Sequence, residues 1–424
     1  MITPAFSLTA TERVLPSMAL DFTTASLDSR VTFTRSGNTA TVTNSSGYVV
    51  GINADLPRFD FDPIALTCKG LLIEEAKTNV CLQSEDFNTT WTKLNLTVTT
   101  NSITAPSNAL TADTIVPVAG TAAHAMIQTF TVAAATTYTY SVFAKAGGSS
   151  YCQVVYDNGS GIGGFINVNL STGAITRGPE AAGGATNIAG GVTAYPNGWY
   201  RISISAQQAT IVGRVAVSIL NAATSTGGIF PSPTLAVTDT IYLWGAQLEA
   251  GAFATSYIPT VASQVTRTAD TASMTGTNFS SWYNASEGAF VASAVIARQS
   301  ALGATAVFSA NDGTVSNFIN CFYRASGALG ATMTAAAVAQ LDQTPLGVTT
   351  ANTIVNIGVA YKVSNTVSYA NGTVQTPTSA LAVPTVTQLQ FGILPAGAYL
   401  NGYVRSLRFY KQRILNAEGQ AFSK

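Results

Sequence analysis

The chain has 424 residues, enough for two or three domains at about 150 residues each. Only 9% of them are charged, 20 basic against 20 acidic, which excludes a nucleic-acid binder needing many cations for phosphates and a highly charged disordered chain. A hydrophobic fraction of 47% supplies packed cores, and the single histidine, His124, leaves the commonest general base and metal ligand available at one position alone.

At the start, Glu12 and Arg13 stand where an export signal needs its apolar stretch, so no signal peptide is expected. Thr, Ser, Asn and Gly interrupt every apolar run well short of the roughly 18 residues a membrane helix requires, so no membrane insertion is expected. Pro57-Arg58-Phe59-Asp60-Phe61-Asp62-Pro63 is a stiff, extended stretch in a small β-rich N-terminal region, 1–75. Arg58, Asp60 and Asp62 share one side of it, the pattern of a structural ion pair or an interface. Glu74 and Glu75 point to opposite faces of a strand, and Glu85-Asp86 reads as a turn or cap.

Beyond Leu71 the dominant period is two. Tyr138, Tyr140 and Val142 alternate with Thr139, Ser141 and Phe143; Val215, Val217 and Ile219 alternate with Arg214, Ala216 and Ser218. Turn signals separate such runs: Asn158-Gly159, Ser171-Thr172-Gly173, Asn197-Gly198, Asp312-Gly313 and Asn371-Gly372. The last lies between Asn365–Tyr369 and Thr373–Gln375, the strongest hairpin signal in the chain. The Ala-rich segment Ala331–Leu341 is the best helix candidate. A polar stretch from Glu249 to Asp270 divides the strands into two series. The expected fold is therefore all-β, with two antiparallel β-sandwich or jelly-roll modules, 76–262 and 263–424, after the N-terminal region. No fixed-period repeat of a β-helix or propeller is present.

Cys68, Cys81, Cys152 and Cys321 are scattered, without a CxxC pair, and read as buried free thiols rather than a zinc site or a disulfide framework. No cofactor or metal is expected. Residues 263–424 hold nine basic and five acidic residues, with Arg405, Arg408, Lys411 and Arg413 near the end, a pattern that a solvated edge strand and turn explains better than an anion site does.

Enzymatic chemistry is not expected. His124 lies in the strand-like Ala122–Gln128 segment with no nucleophile motif beside it, and no carboxylate pair suits glycoside cleavage. Non-covalent sugar binding has a better physical basis, since an aromatic ring stacks on a pyranose while amide and guanidinium groups bridge its hydroxyls. Trp199 and Arg201 fall on the polar face of a strand whose other face is Tyr200, Ile202 and Ile204. Tyr151 and Gln153 share a similar face, and with Arg214 these residues would line a shallow groove if both strands belong to one sheet. The competing reading tucks Trp199 under a loop, as core. In the last module Tyr323, Arg324, Tyr369, Asn371 and Tyr399 lie at or beside loops, where ligands often bind.

Three segments carry a resemblance to a group of bacteriophage virion proteins. Leu20–Thr24 through Val31–Arg35, Pro57–Asp60 and Gly70–Glu75 with Thr78-Asn79 resemble its N-terminal signature. Ser84–Phe87 with Trp91, Asn197–Arg201, Trp244–Gly251 and Tyr257–Thr260 resemble its carbohydrate-binding-type jelly roll. Gly402–Tyr410 with Arg413-Ile414 and Asn416–Glu418 is similar to concanavalin A-like or laminin-G-like lectin domains. The resemblance implies a virion structural protein of the tail fibre, tail spike or head fibre type, homotrimeric, with other virion proteins as partners and host cell-surface polysaccharide as ligand. A purely architectural head decoration or tail adaptor is the alternative, and a polysaccharide depolymerase ranks last. Where related jelly rolls carry a calcium-binding carboxylate, this chain has Tyr242–Gly245, so no calcium site is carried over. Leu415 and Gly419 replace the usual cap and apolar pin of the final helix, which predicts a frayed last turn.

Overall fold

The computed structural model describes residues 15–296, 304–324, 326–350, 352–376 and 380–424; Glu12 and Arg13 lie outside the described residues. The chain is all-β, built as two antiparallel sandwiches. The central one faces two six-stranded sheets against each other. The proximal sheet runs Thr186–Tyr195, Trp199–Gln207, Thr137–Ala146, Ile241–Ala250, Leu110–Pro117, Leu96–Thr104. The distal sheet runs Ala174–Ala182, Gly163–Asn169, Tyr151–Asp157, Val212–Leu220, Ala125–Thr131, Thr92–Leu94. The two-residue alternation puts Tyr140, Val142, Val154, Ile202, Val215 and Val217 into the core between them. Of the several register shifts in these sheets, one lies at Gly245, whose positive φ of 63° favours glycine and where a Cβ would lie 2.9 Å from the Phe143 ring. There Phe143 and Trp244 turn outward and join Trp199, Tyr257 and Val49 in a separate aromatic cluster.

Residues 18–75 do not stand apart as a region of their own; apart from the Ala40–Thr43/Val49–Ile52 hairpin, their strands complete the C-terminal sandwich. Its eight-stranded sheet takes Cys68–Ile73 and Phe59–Phe61 beside Gly402–Tyr410, and Met18–Asp21 pairs with that same strand. Its seven-stranded sheet takes Thr32–Thr34 beside Thr271–Thr275. Leu20, Phe22, Phe33, Leu71 and Ile73 fill one core together with Phe290, Phe308, Leu389, Val404 and Phe409. Burying these apolar faces requires both ends of the chain. The central sandwich is an insertion: Lys77–Asn79 leads out, Val265–Arg267 leads back, and the two pair with each other.

A buried ionic knot fastens this crossing. Arg58, with no exposed side-chain surface, binds Asp270 and approaches Glu74 to 2.8 Å; Arg267 lies 3.3 Å from Glu74, and Arg35 lies 3.5 Å from Asp270. Arg58 is thus a structural ion-pair residue, but its partners are these two rather than Asp60 or Asp62. Glu75 points away and pairs with Lys77. As expected of a cap, Asp86 accepts from the amides of Asn88 and Thr89.

The helix candidate Ala331–Leu341 is instead a hairpin of Ala328–Ala335 and Val338–Val348. Leu329, Ala331, Met333 and Leu341 enter the core, so period two outweighs alanine's helix propensity. Asn317 Oδ1 and the Ser316 carbonyl receive the amides of Ala336 and Ala337, which hold the turn's positive φ values. The Asn371-Gly372 hairpin forms as its sequence predicts, with φ of 45° and 76°. The final helix, Asn416–Phe422, is pinned rather than frayed: Gly419 sits against the Tyr369 ring, where a Cβ would approach to 2.2 Å, and Glu418 accepts the Leu415 amide. Glycine at this position is what lets the helix lie on the sheet.

Candidate functional site: a cleft between the sandwiches

The residues nominated from sequence divide between two sheets. Tyr151, Gln153 and Arg214 lie on the distal sheet, whereas Trp199 and Arg201 lie on the proximal one, so they do not share a groove. Gln153 is fully buried on the outer face of its sheet, donating to Asn167 and the Gly228 carbonyl and accepting from the Phe230 amide. The loop carrying Gly228 and Phe230 therefore covers the surface that a sugar would need. Arg214 forms a two-point ion pair with Asp157 and lies over the Phe230 ring, 4.7 Å from its centroid. Half-buried Tyr151 pairs in register with Asn169 and Leu220.

Trp199 does leave the central core for the opposite face, as its alternation predicts, but it is buried there in a cluster with Val49, Ala105, Phe143, Trp244 and Tyr257, and the Thr104 carbonyl accepts its indole N–H at 3.1 Å. It is 1% exposed. Trp199→Ala is expected to cost about 3–5 kcal/mol of stability, the range for emptying a buried aromatic site. Urea unfolding would measure it, and a loss below about 1 kcal/mol would contradict the packing role. In the C-terminal sandwich, Tyr323 and Tyr369 are buried, Asn371 is the hairpin turn and accepts the Asn356 amide, and Tyr399 packs against the core. Arg324 is exposed over the Phe322 ring. His124 is buried, its Nε2 2.8 Å from the Val118 carbonyl.

A cavity of about 470 Å³ opens where the outer face of the proximal sheet meets that of the eight-stranded sheet. Arg201, Ser203 and Tyr195 line one wall; Tyr403, Arg405 and Lys69 line the other; Thr255–Tyr257 of the linker close an end. The strand alternation that sends Ile202 and Ile204 inward sends Arg201 and Ser203 into this cleft, and that which buries Val404 presents Tyr403 and Arg405. Both walls are fixed from behind. Arg201 donates to the Thr255 carbonyl at 2.8 Å and to Ser141 at 3.0 Å, its guanidinium 5.5 Å from the Phe143 centroid. Tyr403 donates to Asp60 at 2.8 Å, and Lys69 reaches the same carboxylate at 2.6 Å while lying over the Tyr403 ring. Burial, then the Asp60 charge, raises the Tyr403 hydroxyl above its ordinary pKa, so it stays a protonated donor.

Every carboxylate in the lining is already engaged. Asp60 also accepts the Thr43 amide, Asp62 caps the Ile64 and Ala65 amides, and Glu74 belongs to the ionic knot and accepts from Ser256. Two buried donors in the walls, Arg201 Nε and Asn401 Nδ2, lack a hydrogen-bond partner among the described residues. The cleft thus offers tyrosine rings, guanidinium groups and hydroxyls on a rigid frame. Among the described residues no group of three or more His, Cys, Asp or Glu side chains is placed to hold a metal ion. Of these residues sequence reasoning named Arg201 alone as a binding residue. Tyr195, Lys69, Asp60, Tyr403 and Arg405 meet only through the crossing of chain ends; the outward alternation of Tyr403 and Arg405 was the one local signal.

Fold and site define a protein of two β-sandwiches, one inserted into the other, with a polar cleft between them. No known protein family and no curated protein matches the chain. Among solved structures it is similar to the NanB sialidase of Streptococcus pneumoniae at 13% identity and TM-score 0.30, over 35% of this chain and 26% of that one. It is similar to the carbohydrate-binding module CBM40 of the Ruminococcus gnavus IT-sialidase, solved with α2,3-sialyllactose, at 12% identity and TM-score 0.28, over 33% and 84%. It is also similar to an SAP-like pentraxin of Limulus polyphemus at 8% identity and TM-score 0.26, over 32% and 70%. The chain spans about a quarter of the length of the first of these.

Proposed function

We propose that this chain is a glycan-binding structural component of a bacteriophage virion, part of a tail fibre, tail spike or head fibre, that holds host surface polysaccharide without cleaving it. The observation that carries the binding reading is the cleft, in which Tyr195 and Tyr403 flank Arg201, Arg405 and Ser203. Ring faces with fixed donors are what a pyranose needs, and the engaged state of Asp60, Asp62 and Glu74 favours binding over acid–base chemistry. The virion setting rests on the sequence resemblance. There a homotrimer among other virion proteins would multiply weak contacts into avidity.

A glycan array probed with the full chain is expected to give saturable binding to at least one host capsule or lipopolysaccharide, with no release of reducing sugar. Tyr195→Ala is expected to weaken that binding about tenfold, the scale of one lost aromatic contact. Absence of saturable binding to every polysaccharide would leave the architectural role instead.

A further inference from the structure

The cleft does not end at Arg405. On the eight-stranded sheet, Val404, Leu407 and Phe409 face the core, while Tyr403, Arg405 and Arg408 face outward. On the neighbouring strand Glu287–Val295, Phe290, Ala292 and Ala294 face the core, while Val291, Ser293 and Val295 face outward. A second cavity, about 310 Å³, lies over this outer face between Asp21 and Phe422, with Ser293, Asn356, Arg405 and Arg408 in its lining. Arg405 lines both cavities. The central sandwich walls one end; the final helix walls the other, its Phe422 ring stacked on Tyr410 with centroids 5.4 Å apart. From Tyr403 to Arg408 the floor runs about 17 Å, at about 3.3 Å per strand residue, well beyond the length of a single sugar ring.

The charge of the second cavity is one-sided. Asp21 is its one acid, facing two arginines, and one oxygen of its carboxylate accepts the Thr23 amide and hydroxyl at 2.9 and 2.6 Å. Arg405 makes no ion pair among the described residues; its Nη1 donates to the Lys69 carbonyl, and the rest of its planar fork is available for an anion.

Resting on the reading of the cleft as a glycan site, we infer that the two cavities form one trough that takes an extended anionic polysaccharide, with Arg405 as the shared residue that selects for its acid groups. The second cavity adds contacts only for a chain long enough to pass Arg405. Neutral chains of equal length leave Arg405 without a counter-charge.

Isothermal titration of the full chain with oligogalacturonides, heparin-derived oligosaccharides and neutral malto-oligosaccharides, each as disaccharide and hexasaccharide, tests this. A hexasaccharide of one anionic series is expected to bind at least tenfold tighter than its disaccharide and than the neutral hexasaccharide; the series that does so identifies carboxylate or sulfate as the group recognised. Arg405→Gln is expected to lower hexasaccharide affinity about tenfold without moving the melting temperature. Ser293→Trp, which fills the second cavity, is expected to flatten the dependence on chain length. Neutral chains binding as tightly as anionic ones, hexasaccharides no better than disaccharides, or an unchanged Arg405→Gln would overturn the trough and leave the glycan site standing. Failure of these probes together with a blank glycan array would overturn both.

Discussion

Residues 263–424 expressed alone are expected not to fold, whereas a chain joining residues 15–79 to 263–424 through a short linker is expected to unfold cooperatively. The reason lies in the eight-stranded sheet, where Cys68–Ile73 separates Gly402–Tyr410 from Phe59–Phe61. Removing the N-terminal residues exposes the Gly402–Tyr410 edge along two lengths, since Met18–Asp21 also pairs there. It also takes Met18, Leu20, Phe22, Leu71 and Ile73 from the core, each worth about 1.5–3 kcal/mol when buried. Such a total is comparable with the whole net stability of an ordinary domain. The joining linker is short because Lys77–Asn79 and Val265–Arg267 already pair. Circular dichroism during urea unfolding decides the matter: a cooperative transition from 263–424 alone would contradict the shared core.

Asp270→Asn is expected to destabilise the protein by about 3–5 kcal/mol, and by more than Arg58→Met. Asp270 and Glu74 face three buried guanidinium groups, from Arg35, Arg58 and Arg267. Neutralising Asp270 leaves Glu74 alone against three cations and weakens the acceptor for the Glu74 amide. Arg58→Met instead balances the remaining charges two against two, although it forfeits the bonds of Arg58 to Asp270, Glu74 and Ser256. Urea midpoints of the two variants measure the order, and the reverse order would refute this charge count.

The same knot sets an acid limit. Burial alone would raise the Glu74 pKa, but the Arg267 and Arg58 charges bring it down to about 2 from an ordinary 4.5. A depressed carboxylate stabilises the fold fully above the unfolded value and loses that contribution as pH falls through the folded one. Stability is therefore expected to drop between about pH 4.5 and 2, and Glu74→Gln to flatten that drop; equal slopes in both proteins would exclude Glu74 as its source.

Much of the fold was legible because strand alternation is local: Tyr138 to Phe143, Val215 to Ser218 and the Asn371-Gly372 turn each declare their geometry within a few residues. The interweaving of the chain ends was not, because nothing in Cys68–Ile73 names Gly402–Tyr410 as its neighbour across more than three hundred residues. For the same reason Arg58 announced an ion pair without announcing Asp270. Trp199 was legible as outward-facing, yet the residues that bury it, Val49 and Ala105 on one side of it in sequence and Trp244 and Tyr257 on the other, come from distant parts of the chain. The candidate cleft suffered most, since one wall comes from the middle of the sequence and the other from both of its ends.

The paired strands Lys77–Asn79 and Val265–Arg267 act as a doorway through which the chain leaves one sandwich and returns to it. Domain insertion succeeds where entry and exit lie close together. A different module with adjacent termini can therefore occupy this place while the C-terminal sandwich keeps its core, so under the proposed glycan-binding role specificity would change by cassette exchange as well as by point substitution. The trough floor around Arg405 would persist through such an exchange, and only the facing wall would be replaced.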